Sequence, residues 1–243
     1  PDTPNDLYGF SSDQAFYEFY QRTYQAVKTC DDRLSFGTPP TFYIAQAGYT
    51  NWYISFLQWC RKNSCTPDFL NFHYYDTALV DTNRKNGAFG FVYSMVLRDA
   101  PDGFHNFVDQ VLAERQHLGA GKLPVYLTEW NNTPSQEDLL NDTCFKSCYI
   151  VKNILENYDR LDCFSYWSLT DWMGEAPLPR ELFFGGLGLF TQNGIKKPPY
   201  HAMVLMRQLG DILTANIHRI KKGQTTVIVE DFYDENMAEI TVP

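Results

Sequence analysis

The sequence predicts an α/β fold assembled from parallel βα units, the module of a (β/α)8 or TIM barrel, with four units in the chain. Two observations predict it. A short apolar run followed by a longer amphipathic helical stretch occurs four times in succession. Each apolar run ends in polar or aromatic residues, as barrel strands do where their C-terminal ends open on an active-site face. After Gly210 the pattern changes to short alternating segments, 217–220 and 225–229, with no helix between them. This predicts the start of a β-sandwich-like appendage.

The first strand is expected at Leu34-Ser35-Phe36-Gly37, the second at 68–74, the third at 123–129 and the fourth at 161–167. Helices are expected over about 13–29, 52–62, 103–118, 136–157 and 199–209, where apolar residues recur at three and four positions, as in Phe16, Phe19, Tyr20, Tyr24 and Val27. Ser12-Asp13 offers an N-cap for the first helix, and Gly119 with Gly121 a stop before the third strand. Helix packing accounts for these aromatic residues, so none is assigned a ligand. Four βα units make half of an eightfold barrel, which leaves two open sheet edges and an uncovered interior. The expected organisation is therefore a half barrel over 1–212 and a β-rich segment over 213–243, with the other half of the barrel as a missing partner. Loss of an upstream half is simpler than pairing with a second copy.

With 44% hydrophobic and 16% aromatic residues, the 243-residue chain is able to bury a sizeable core. Twenty Lys and Arg against 29 Asp and Glu give a net charge of −9, the opposite of a phosphate-binding surface, which argues against nucleic acid as a partner. No apolar run approaches membrane-spanning length, and Lys221-Lys222 is too short for a lipid anchor. The six cysteines (Cys30, Cys60, Cys65, Cys144, Cys148, Cys163) lack C-x-x-C spacing, and Cys144 with Cys148 reads as a pair of small helix residues rather than a chelate. No metal site is expected, and free thiols suit a reducing, cytoplasmic location. Asn131-Asn132-Thr133 and Asn141-Asp142-Thr143 match glycosylation acceptors, a pattern short enough to arise by chance.

Glu129 closes the third strand within Leu127-Thr128-Glu129-Trp130-Asn131. A retaining glycosidase needs a carboxylate fixed on a rigid strand so that it attacks an anomeric carbon along a defined line and then leaves. The bland counterpart is a carboxylate paired structurally with a neighbouring strand.

Thr128-Glu129-Trp130-Asn131 resembles the T-E-[aromatic]-N nucleophile motif of glycoside hydrolase family 39, the β-xylosidases. The likeness continues in Phe72-His73-Tyr74-Tyr75, in Asn141-Asp142-Thr143, in Tyr166-Trp167-Ser168-Leu169-Thr170-Asp171, in Phe184-Gly185-Gly186-Leu187-Gly188-Leu189 and in the 195–200 stretch Ile-Lys-Lys-Pro-Pro-Tyr. These strings follow the family order over roughly residues 1 to 215. The resemblance implies that the four strands are strands five to eight, the C-terminal half of the barrel. It also implies that Pro1, Asp2 and Leu7 follow the Asn-Glu of the general acid/base, which would lie immediately before Pro1.

By the same resemblance Glu129 is the catalytic nucleophile. His73 and Tyr75 face the sugar, Asn131 fixes hydroxyls and Trp167 forms the floor, with Asp171 and Glu175 in a further substrate-holding segment. That segment departs from the family's D-x-F-E-E pattern: Asp171-Trp172-Met173-Gly174-Glu175 has a glycine in place of the first Glu. Phe184 and Asn141 likewise replace histidines, and all three changes are expected on substrate-facing loops. The implied partner is a carbohydrate and no cofactor is needed. A retaining β-glycosidase is the leading expectation, and a non-catalytic sugar-sensing domain of an AraC-type transcription regulator is the alternative.

Overall fold

The computed structural model describes residues 10–43, 50–79, 95–97, 100–117, 119–171, 180–209, 216–222, 225–234 and 237–240. Four parallel strands, β1 (Thr41–Tyr43), β2 (Leu70–Tyr75), β5 (Val125–Asn131) and β6 (Cys163–Tyr166), form one sheet in the order β1-β2-β5-β6. A hairpin of β3 (Thr77–Leu79) and β4 (Met95–Leu97) follows β2, and three antiparallel strands, β7 (Asn216–Lys222), β8 (Thr225–Asp234) and β9 (Met237–Ile240), form a separate sheet. Helices α1 (Asp13–Cys30), α2 (Thr50–Lys62), α3 (Gly103–His117), α4 (Cys144–Leu155) and α5 (Pro198–Met206) alternate with the parallel strands.

The pleat separates the two faces of the sheet. Leu70, Phe72, Tyr74, Val125, Leu127 and Trp130 point toward the helices and join Phe16, Tyr20, Phe56, Phe104, Phe107, Val111 and Ile150 in one buried core. Trp52 stacks on Phe56 at a centroid distance of 5.5 Å, and Tyr74 on Phe107 at 4.3 Å. Helices covering one face of sequentially ordered parallel strands leave the other face for Asn71, His73, Thr128 and Glu129.

Three features of the fold differ from the sequence expectation. The first strand is not at 34–37 but at Thr41–Tyr43. Residues 36–38 do run beside β2, with Asp68 N donating to Phe36 O and Thr38 N to Phe69 O, but Pro39-Pro40 then removes two backbone donors and interrupts the ladder. The helix expected over 136–157 begins only at Cys144, because Asp138 caps a separate 3-10 turn, Leu139–Asp142, by accepting from Leu140 N. The β3–β4 hairpin was not anticipated, since its two three-residue strands are too short to carry a periodicity.

Candidate active site

Strict alternation along β5 would put Val125, Leu127 and Glu129 on the same face, which is the helix-packed core. The structure breaks that alternation. Phe72 pairs with Leu127 but the next residue, His73, pairs with Glu129, so β5 carries one residue more than β2 at this point. The extra residue is a β-bulge at Thr128, and a bulge re-aims the side chains that follow it. Thr128 Oγ1 donates to Asn71 Oδ1, which places Thr128 on the open face. Trp130, fully buried against Phe104 and Tyr166, returns to the helix face. Glu129 between them is thereby turned out of the core.

There it meets two groups from β2. His73 Nδ1 lies 3.0 Å from Glu129 Oε2, and Tyr75 Oη donates to Glu129 Oε1. Each carboxylate oxygen thus faces a different β2 side chain, which fixes the plane of the group. The Glu129 side chain is 17% exposed and that of His73 11%, so the carboxylate is desolvated on most sides yet reachable. Such a carboxylate suits nucleophilic attack along a set direction.

Asn131 is placed differently. It is fully buried: Asn131 Oδ1 accepts from Lys146 Nζ and from Asn132 N at 2.7 Å, while Nδ2 donates to Tyr166 Oη at 3.2 Å and to Trp167 O at 2.5 Å. Its amide is spent within the protein, two residues from Glu129. Trp167 follows β6, is half-buried, and is joined to Ser168 by a cis peptide bond.

Asp171 lies in a second buried cluster. Lys197 Nζ is 2.9 and 3.2 Å from its two oxygens, Gly188 N donates to Oδ1 at 2.8 Å, and Lys197 also reaches Asp142 Oδ1 at 2.5 Å and Gly186 O at 2.8 Å. Burial pushes the Asp171 carboxyl up, and Lys197 draws it back. The cluster shapes the glycine-rich turn. Gly185 has φ +83°, and a Cβ on Gly186 would stand 2.5 Å from the Asp171 carboxyl, so neither position admits a larger residue without strain. Glu175 and Gly174 lie outside the described residues.

The other two departures from the family pattern are not on a substrate-facing surface, contrary to expectation. Phe184 is buried, and Asn141 is buried with Nδ2 donating to Gly185 O at 2.7 Å and Ser135 O at 3.2 Å. The same burial closes Asn131 and Asn141 to glycosylation in the folded chain. Among the described residues no group of three His, Cys, Asp or Glu is arranged to hold a metal ion, and no helix is long and apolar enough to cross a membrane.

Sequence reasoning missed Thr128, Asn71, Lys146 and Lys197. A signal existed for Lys146: Lys146, Ile150 and Asn153 share one α4 stripe, so polar residues stand at helix positions that must be buried. Lys197, preceding Pro198 at the start of α5, carried none.

The profile of glycosyl hydrolases family 39 matches residues 3–236. A beta-xylosidase of Geobacillus stearothermophilus is 30% identical over 200 residues, which cover 82% of this chain and 38% of that protein. A beta-xylosidase of Caldicellulosiruptor saccharolyticus is 31% identical over 208 residues, 84% of this chain and 39% of that protein. Among solved structures, the GH39 enzyme from Xanthomonas axonopodis pv. citri superposes with a TM-score of 0.73 at 25% identity, covering 99% of this chain and 46% of that one. The chain therefore spans less than half the length of these relatives.

Proposed function

The chain belongs to glycosyl hydrolases family 39, and from that premise we propose that it is the C-terminal half, strands five to eight, of the catalytic barrel of a retaining β-glycosidase. The substrate is a β-xyloside or a related small β-glycoside, and Glu129 is the nucleophile. The observation that carries this reading is the Thr128 bulge, which turns Glu129 onto the open face between His73 and Tyr75. Residues 213–243 begin an accessory β-domain.

In the proposed reaction a Glu upstream of Pro1 protonates the leaving oxygen while Glu129 attacks the anomeric carbon. The bond to the aglycone breaks as the Glu129 ester forms. Water, activated by the same upstream Glu acting as base, then releases the sugar with retained configuration. His73 and Tyr75 orient the Glu129 carboxylate, Trp167 floors the sugar ring, and Asn131 holds the strand end that carries Glu129. By the family resemblance Glu175 is a sugar-binding residue, whereas Asp171, buried on Lys197, holds the glycine-rich turn. The curated relatives are named beta-xylosidases, which supports hydrolysis over sugar sensing.

The test is turnover of an aryl β-xyloside by the full-length parent. Glu129→Gln keeps the size of the side chain and removes the attacking charge, so turnover falls by several orders of magnitude with folding nearly unchanged. In Glu129→Gly, azide occupies the vacated space, partly restores turnover and gives a glycosyl azide of inverted configuration. An active parent whose Gln variant keeps full activity overturns the assignment.

A further inference from the structure

A directional chain of hydrogen bonds crosses the interior behind Glu129. Lys146 Nζ on α4 donates to Asn131 Oδ1 at the end of β5, Asn131 Nδ2 donates to Tyr166 Oη on β6, and Tyr166 Oη donates to Leu187 O at 3.0 Å in the glycine-rich turn. A branch runs from Asn131 Nδ2 to Trp167 O. Each member has one role that its chemistry allows. The Asn132 N–H has no acceptor and the Trp167 carbonyl no donor, so the Asn131 amide has only one orientation that satisfies both, and that orientation presents Oδ1 to Lys146 Nζ. Lys146 and Asn131 are fully buried, and burial pushes the Tyr166 phenol up.

A lysine is a costly choice for this position. Burial pushes its amine well below the ordinary value, with Lys197 adding to the shift and Asp138 and Asp142 opposing it. A methionine of similar length would fill the space without burying an amine, so stability gives no reason for the lysine. What the amine adds is direction: it holds Asn131 Oδ1 and so aims Nδ2 at β6.

Building on the hydrolase reading above, we infer that Lys146 is a positioning residue of the active site, which, acting through Asn131, sets the Trp167 end of β6 and the glycine-rich turn relative to Glu129. Without its donor, the Asn131 amide keeps only the Asn132 N–H on the Oδ1 side. The strand carrying the nucleophile and the strand carrying the sugar floor stay paired, with Trp167 N donating to Trp130 O, but the side-chain link that aims the Trp167 end of β6 is loosened. Misplacement of that kind weakens alignment in the transition state more than binding of the ground state.

The experiment is a double-mutant cycle in the full-length parent with Lys146→Met, Asn131→Leu and the pair, and with Ile150→Ala in the same helix as a packing control. Kinetic constants on an aryl β-xyloside, thermal midpoints and, in a Glu129→Gln background, xylose affinity by calorimetry are measured. Lys146→Met lowers kcat about 10- to 100-fold while KM changes far less, and the double variant is no worse than Asn131→Leu alone. Ile150→Ala lowers the midpoint at least as far and leaves kcat unchanged. Unchanged kcat in Lys146→Met, or losses that add in the double variant, overturns the inference. An inactive wild-type parent instead overturns the hydrolase reading. The xylose-affinity cycle then decides the lysine: coupled losses support it, while additive losses or no sugar binding overturn it.

Discussion

Thr128 and Glu129, adjacent in the chain, present their side chains on the same face of the sheet. Neighbours in a regular strand point to opposite faces. Here the bulge between the Leu127 and Glu129 pairings removes one step of alternation, and the bond from Thr128 Oγ1 to Asn71 Oδ1 pins the extra residue. Were Thr128 a regular ladder residue instead, Glu129 would face the core.

Thr128→Val keeps the shape of the side chain and removes the hydroxyl, leaving Asn71 Oδ1 without that donor. The full-length protein should lose about 1 to 3 kcal/mol of stability, the cost of a partly buried unsatisfied group. Urea titration checks this. Deleting Thr128 removes the bulge and leaves Leu127, Glu129 and Trp130 in regular alternation, so Glu129 should stay on the open face, and the loss of stability should again be that of Asn71 Oδ1 without its donor.

Tyr75→Phe removes the donor to Glu129 Oε1 and keeps the ring in place. A positioned hydrogen bond to a reacting carboxylate is worth about 1.5 to 3 kcal/mol. The expected result is a fall in kcat of about 10- to 100-fold, with a thermal midpoint close to that of the wild type. Unchanged kcat would mean that the Tyr75 hydroxyl is not needed to orient Glu129.

Lys197→Met strands two carboxylates, Asp142 and Asp171, beside a buried apolar side chain. Removing one partner of a buried ion pair costs about 3 to 5 kcal/mol. Denaturant midpoints should show that loss for Lys197→Met. They should show a clearly smaller one for Asp171→Asn, because Lys197 keeps Asp142 and Gly186 O as partners.

The buried amine of Lys146 makes stability depend on pH in a definite direction. Its folded value lies below the ordinary 10.5, so between the two the unfolded chain binds more protons than the folded one. Stability from this group therefore rises with pH across that interval and falls as pH drops toward the folded value. Urea midpoints at pH about 7 and about 9 should rise more in the wild type than in Lys146→Met. The difference between the two slopes isolates the lysine from every other titrating group. Equal slopes would place the amine in contact with water.

The alternation of strand and helix was legible because buried strands and amphipathic helices impose periods on the sequence, as in the 123–129 run and the Phe16 to Val27 stripe. The position of Glu129 at a strand end was legible for the same reason. The face it occupies was not, since Val125, Leu127 and Glu129 read as regular alternation and a bulge has no fixed residue signature. Nor were the roles of Asn131 and Asn141, whose side chains look like surface amides until the buried groups that they satisfy are seen. Pro39-Pro40 could have moved the first strand onward from 34–37, because two successive missing donors are incompatible with a continuous ladder.

The relay from Lys146 to Leu187 has a consequence for how the protein opens. α4, the ends of β5 and β6, and the glycine-rich turn share bonds that no one of them can break without exposing a buried polar atom of another. Such segments open together as a cooperative unit. Native-state hydrogen exchange should therefore give the amides of α4 and the β5 end a common opening free energy. Heat inactivation should begin when that unit opens, whether or not the aromatic layer of α1 and α2 has yet come apart.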